Sequence, residues 1–353
     1  MDKDKLNLNN QKKSGHLGYI VFLLGLIAIT FHVLLKDISI RGLFSIMKSL
    51  NPTMCILGLL SAFGFICCEA WVFKTLLSLL SNKLSFFQTI KYSIVGFYFS
   101  SITPSASGGQ PMQIYYMNKD DINISHSSLT ILITMVIYQI TMVSYALVAF
   151  LMDFRFVAEV VQSIYPFIIF GFAANLLVVS FVIMAIFSDK LVFKVVGFIV
   201  KLLYKLKFIK DMEKAKEYTN HQIDEYKQGA LLIRKNPKVI LKVFITTFLQ
   251  LTAMFSVTFF VYRAFGLNEL SFWRIVGLQS IAHIAVCALP LPGAVGASEG
   301  TFMVLFKSLF PTNLLSSAML VSRGISYYIM VLISGLFVIS THIKSTKRNS
   351  YTH

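Results

Sequence analysis

The stretch SITPSASGGQP, residues 101–111, interrupts an apolar run with two prolines, two adjacent glycines and a row of hydroxyls. In hydrocarbon an unpaired backbone N–H or C=O costs several kcal/mol, so irregular backbone survives at membrane depth only where it is buried in protein or lines a wet cavity. Pro104 and Pro111 donate no backbone hydrogen bond, and Gly108 and Gly109 allow close backbone approach. Either the run Phe86–Ser101 crosses a bilayer and ends at the break, or the chain enters, turns at the break and leaves on the side it came from.

The rest of the chain decides between these. Its 353 residues are 56% hydrophobic and 14% charged, with a mean hydropathy of +0.70. Apolar segments long enough to span about 30 Å of hydrocarbon are expected at 17–35, 54–80, 127–151, 163–187, 238–265 and 316–341. The first follows a basic leader, residues 1–16, but is too long for the apolar core of a secretory signal, and it reads as a retained span. Between Ser188 and Lys238 lie twelve Lys or Arg against six Asp or Glu. Lys190, Lys194, Lys201 and Lys205 recur there at helical spacing opposite an apolar face. This describes either a helix lying in the headgroup layer or an ordinary positively charged loop, and both belong in the cytoplasm. A hairpin over 84–118 puts the segment there, whereas a single crossing puts it outside. The reading is therefore a re-entrant hairpin.

A second broken segment, 272–310, contains LPLPGAVGASEG, residues 289–300, and the piece after this break is too short to cross before Pro311. Span, hairpin, span thus occurs twice, at 54–151 and 238–341, with the hairpins entering from opposite sides. The linking span is 163–187, the basic amphipathic segment 188–237, and a tail at 342–353 lies with the amino terminus in the cytoplasm. The expected fold is an all-α polytopic membrane protein of about six spans and two re-entrant hairpins in an inverted-topology repeat. Transporters of that architecture place substrate near the midplane between broken helices.

The candidate substrate residues follow from the two breaks. In the first, Thr103, Pro104, Ser107, Gly108, Gly109 and Gln110 supply irregular backbone and polar groups. In the second, Pro290, Pro292, Gly293, Gly296, Glu299 and Gly300 do so, with Arg323 of the last span as the expected partner of Glu299. An ionisable residue at membrane depth is by default a functional candidate. Thr130, Thr134, Tyr138, Thr141 and Tyr145 draw a polar stripe suited to interhelical contact. His283 reads as a hydrogen-bonded structural histidine, and Glu69 as half of an interfacial pair with Lys74. Four cysteines at 55, 67, 68 and 287 and seven scattered histidines offer no metal-binding spacing. No nucleotide loop or nucleophile elbow occurs, so no cofactor is expected, and the net charge of +16 points to lipid surfaces rather than nucleic acid. The composition, rich in Lys, Ile and Asn and poor in Arg, suggests a bacterial source and a plasma-membrane location.

At TPSASGGQPMQIYYM (103–117) and LPLPGAVGASEG the chain resembles the lysylphosphatidylglycerol synthase transmembrane, or flippase-like, family. The resemblance implies that Pro292, Gly293, Gly296, Glu299 and Gly300 belong to the family's site. The first motif departs from the family's Pro-Gly-x-x-Gly-Glu-like version: Gly108-Gly109-Gln110-Pro111 puts a neutral Gln110 where many relatives carry an acid. Full-length relatives, the multiple peptide resistance factors, add a soluble aminoacyltransferase that charges phosphatidylglycerol with lysine. The longest polar segment here, about fifty residues, leaves no room for such a domain, so lysyltransferase activity is not expected of this chain. The resemblance implies a lipid translocase for an anionic or aminoacylated phospholipid or a polyprenyl-linked glycolipid. A membrane-embedded transferase, or a non-catalytic partner of a separately encoded lipid-modifying enzyme, are the other readings. Membrane lipids are the expected partners, and the oligomeric state is open.

Overall fold

A computed structural model describes residues 50–80, 84–187 and 212–350, together with Gly197 and Lys201. The expected leader, the span 17–35 and most of the lysine-rich run 188–211 lie outside these residues. The described chain is helical, and five helices are long and apolar enough to cross a membrane: this is a multi-pass membrane protein. The first unit comprises α1 (Pro52–Leu80), α2 (Phe86–Ile102), a 3-10 turn at Pro104–Ala106, α3 (Gly109–Lys119) and α4 (Ile124–Met152). A short helix α5 (Phe154–Val161), not foreseen from sequence, then leads into α6 (Tyr165–Phe187). After α7 (Met212–Arg234) the second unit repeats the order: α8 (Pro237–Ala264), α9 (Phe272–Cys287), a 3-10 turn at Pro292–Ala294, α10 (Ala297–Leu305), then α11 (Thr312–Arg323). A π-helical turn, Gly324–Tyr328, joins α11 to α12 (Ile329–Ser350), so the expected tail begins as a continuation of a helix.

Helices α1 and α8 form the most extensive helix pair and run antiparallel. The amide of Asn51, just ahead of α1, donates to the carbonyl of Ala264 at the end of α8 (3.1 Å). At the other end Leu76 and Leu80 pack with Val243. The first helices of the two units are thus inverted with respect to each other.

Each unit's broken segment folds back on itself. In the first, Lys91 near the start of α2 pairs with Asp120 just beyond α3, and Tyr92 Oη donates to the same carboxylate (2.6 Å). In the second, Phe272 at the start of α9 and Phe310 beyond α10 both pack on aromatic residues in the last turns of α8.

The halves share a residue-level signature that reading along the chain does not make obvious. Leu84-Ser85-Phe86-Phe87 opens α2 and Leu270-Ser271-Phe272-Trp273 opens α9. In both, the serine is the N-cap and its hydroxyl accepts the amide three residues on, from Gln88 and Arg274; a serine there satisfies one of the helix's orphan donors.

The core lies between α1, α4, α8, α9, α10 and α11, where Phe255, Tyr262, Phe302 and Phe306 are buried. Helix α6 is peripheral and carries exposed Phe167, Phe170, Leu177 and Phe181, as expected of a face turned to lipid. Helix α7 sets Ile223, Tyr226, Ala230 and Ile233 against the ends of α1 and α4. Its backbone is tied to α4 by Ser125 Oγ donating to the carbonyl of Gln222 (2.6 Å).

Candidate substrate site between the two hairpin turns

The two breaks share their backbone over Thr103–Ala106 and Leu291–Ala294 and then diverge: Ser107 and Gly108 are right-handed helical (φ −68° and −84°), whereas Val295 is extended (φ −61°, ψ 138°) and Gly296 has positive φ (85°). Thr103 and Leu291 are extended (φ −116°, ψ 147° and φ −111°, ψ 135°), as a residue preceding proline prefers. Pro104 and Pro292 then start a 3-10 turn in which the next two residues take positive φ: Ser105 (51°) and Ala106 (54°), Gly293 (57°) and Ala294 (50°). Positive φ at serine and alanine is strained, and strain of this kind persists only where surroundings over-determine it. The returning helices begin at equivalent places, with N-caps Gly108 and Gly296. In this register Pro111, not Gln110, is the counterpart of Glu299. The two turns pack against each other, bringing residues 104–106 of one unit against 292–294 of the other.

Their chemistry differs. At the first turn Ser105, Ala106 and Ser107 are exposed. Thr103 Oγ1 donates to the carbonyl of Phe99 (2.6 Å) and accepts the amide of Gly108 (2.8 Å), so Thr103 braces the turn. Gly109 lies against α2: a Cβ there would stand 2.8 Å from the carbonyl of Gly96.

The second turn is closed. Glu299 is 1% exposed. Its Oε2 accepts the amide of Gly296 (2.7 Å), while Oε1 accepts from Arg323 Nε (2.8 Å) and Tyr328 Oη (3.2 Å). Arg323 also donates to the carbonyl of Gly293 (3.0 Å), and its guanidinium lies 4.4 Å from the ring centroid of Tyr327. A buried charge demands a partner and further hydrogen bonds, and each of these groups supplies one. The π turn explains how one helix does so much. Its i to i+5 hydrogen bonding brings Arg323 and Tyr328 over the same carboxylate, while Tyr327 reaches across to donate to the carbonyl of Ser101 (3.0 Å) in the last turn of α2.

Of the remaining candidates, Pro292 is buried in the turn, Pro290 is exposed and Gly300 faces open space. Residues outside the candidate set complete the centre. Glu69, three residues past Ile66 at the midpoint of α1, accepts from Gln113 Nε2 (3.1 Å). The expected Glu69–Lys74 pair is not made: Lys74 lies 5.3 Å from the ring centroid of Trp71 on another face of α1. Tyr138 of the polar stripe meets His283 of α9 across the units (Oη to Nε2, 3.3 Å), and Tyr145 meets Thr252 (3.1 Å). A cavity of about 40 Å³ of mixed lining, with Gln279, His283 and Arg323 facing Met254, Val286 and Phe302, adjoins the Glu299 network. Tyr327 and Tyr328 escaped the sequence reading; the arginine–glycine–tyrosine pair pattern of Arg323-Gly324 followed by Tyr327-Tyr328 was the available signal.

The chain is similar in sequence to known membrane proteins. A UPF0104 membrane protein of Pyrococcus horikoshii is 25% identical over 267 residues, covering 73% of this chain and 78% of that protein. A UPF0104 membrane protein of Archaeoglobus fulgidus is 22% identical over 309 residues, covering 86% and 90%. Both are archaeal. The family described as "Lysylphosphatidylglycerol synthase TM region" matches residues 17–334, both broken segments included, and the chain belongs to that family.

Proposed function

We propose that this protein is a lipid translocase, moving a phospholipid headgroup between leaflets past the two abutting turns while the acyl chains stay in lipid. The observation that carries the reading is the meeting of two turns of one design, Pro104–Ala106 and Pro292–Ala294, amid apolar helices. In this reading both hairpins are re-entrant, the first from the cytoplasm and the second from outside, and the lysine-rich 188–237 segment gathers anionic lipid on the cytoplasmic face. The exposed hydroxyls of the first turn replace headgroup hydration, a need set by the cost of an unsolvated polar group in hydrocarbon.

The inventory of Glu299 refines its role. With both oxygens engaged by Arg323, Tyr328 and Gly296, it holds the second turn in shape. Ser107 and Gln110 of the open turn are then the residues nearest a passing headgroup. The family's name makes lysylphosphatidylglycerol the first lipid to try alongside phosphatidylglycerol.

Purified protein in liposomes carrying headgroup-labelled lipid should speed loss of label protection from a membrane-impermeant quencher, and Ser107→Leu or Gln110→Leu should slow it several-fold. Rates equal to protein-free liposomes overturn the reading. Transfer of lysine from labelled lysyl-tRNA to lipid by this chain alone would replace it with the transferase.

A further inference from the structure

Away from the turns, a cavity of about 260 Å³ opens where the end of α4 and the start of α5 meet the start of α9. Its charged walls are Asp153 and Arg274, joined by one contact, Arg274 Nε to Asp153 Oδ2 at 2.5 Å. Both are open to solvent, with side chains 27% and 47% exposed. Asp153 occupies the N-cap position of α5 yet makes no capping hydrogen bond; its carboxylate is engaged by Arg274 instead. The Arg274 guanidinium carbon lies 5.2 Å from the ring centroid of Phe156. Ser271, the N-cap of α9, and half-exposed Trp273 complete the rim.

We propose that this cavity binds a phospholipid headgroup that carries both a phosphodiester and a primary ammonium. The phosphodiester takes Arg274, whose fork matches phosphate oxygens, beside the amide-rich start of α9. The ammonium takes Asp153. An anion without an amine would set a phosphate against the Asp153 carboxylate, a like-charge contact. A quaternary ammonium donates no hydrogen bond to Asp153 and relies on an aromatic cage, whereas the rim offers Trp273 and a Phe156 ring shared with Arg274 rather than a closed cage. The site lies at helix ends, where headgroups lie, and a tryptophan at that level is a common interfacial anchor. Its volume sits just below the usual range for drug-sized ligands and suits a headgroup, with the acyl chains left in the bilayer. The proposal concerns binding and stands whether or not the lipid is translocated.

The chain has two tryptophans, so Trp71→Phe leaves Trp273 as the reporter. Dihexanoyl phosphatidylethanolamine, dihexanoyl phosphatidylglycerol and dihexanoyl phosphatidylcholine are titrated into the detergent-purified variant and read by tryptophan fluorescence, with calorimetry on the unaltered chain as a second measurement. Phosphatidylethanolamine should saturate the signal and bind about tenfold more tightly than the other two, a difference of about 1.4 kcal/mol. Asp153→Asn should erase that preference while keeping phosphatidylglycerol binding, and Arg274→Gln should abolish all three. The charge-reversed pair Asp153→Arg with Arg274→Asp, which keeps an ion pair for folding, should also lose the preference. A short-chain lysylphosphatidylglycerol in the same titration distinguishes the two lipids of this chemistry. Equal affinities for phosphatidylethanolamine and phosphatidylglycerol, or an Asp153→Asn variant that still discriminates, overturn the proposal.

Discussion

Tyr327 Oη donates to the main-chain carbonyl of Ser101 at 3.0 Å, so the last long helix of the second unit secures the end of the first unit's entering helix. The end of any helix leaves carbonyls without intrahelical partners, and inside an apolar bundle these must be found elsewhere. In α2 the Thr103 hydroxyl takes the carbonyl of Phe99, and Tyr327 takes that of Ser101.

Removing that donor should therefore weaken the junction between units. Tyr327→Phe is expected to cost about 1 kcal/mol, read as a lower melting temperature in detergent. Gly293→Ala should cost more, because a Cβ there stands 2.0 Å from Tyr327 Oη. Its cost should shrink in a Tyr327→Leu background, and additive effects would show that the two residues do not share the space.

Breaking the Glu299–Arg323 pair from either side leaves a buried charge alone. Glu299→Gln and Arg323→Gln should each destabilise by about 3–5 kcal/mol, and the double variant by less than the sum of the two. Equilibrium unfolding of the four proteins supplies the cycle. A single variant as stable as the parent would mean that the pair does not hold the turn.

Both breaks and the five described spans were legible from hydropathy and from the placement of proline and glycine, since these features act through length and local backbone. The partner of Glu299 was legible too, because an arginine inside a span has few alternatives. What escaped was set by tertiary packing. Gln113 is a residue of ordinary loop composition whose importance comes from α3 lying on α2, where Gly96 makes room for it: a Cβ on Gly96 would meet Gln113 Nε2 at 1.9 Å. Likewise Lys74 is five residues from Glu69 and too far round the helix to pair with it, so it rests on Trp71. The shared Leu-Ser-Phe caps of α2 and α9 were visible in the sequence, but only the matching turns show that they mark equivalent positions.

Exchange of the Glu69–Gln113 pair tests whether this amide–carboxylate contact is specific. Glu69→Leu leaves the Gln113 amide buried without its 3.1 Å acceptor and should destabilise by about 1–3 kcal/mol. The swapped variant, Glu69→Gln with Gln113→Glu, restores one donor and one acceptor and should recover most of that loss in a thermal melt. If the swap melts no higher than Glu69→Leu, the contact is incidental.

Tyr226 of α7 supplies a prediction of opposite sign. Its hydroxyl is buried with no hydrogen-bond partner among the described residues, and burial pushes the phenol up to about 12. A buried hydroxyl without a partner is a desolvation cost that an apolar replacement removes. Tyr226→Phe should therefore raise the melting temperature, by an amount equivalent to about 1 kcal/mol, and a drop would reveal an interaction the static structure does not contain.

Sidedness tests the passage itself. With Cys55, Cys67, Cys68 and Cys287 replaced by alanine, single cysteines at the exposed positions Ser107, Pro290 and Lys201 sample the first turn, the second turn and the basic segment. Oppositely inserted hairpins require that a membrane-impermeant thiol reagent reach Ser107→Cys only from the cytoplasmic side and Pro290→Cys only from outside, with Lys201→Cys labelled from the cytoplasm. A full crossing by 84–118 would instead reverse the next two spans and carry position 201 to the outer face. Labelling of Lys201→Cys in intact cells would thus remove the inversion on which a headgroup path between the turns depends, because both hairpins would no longer open to opposite compartments.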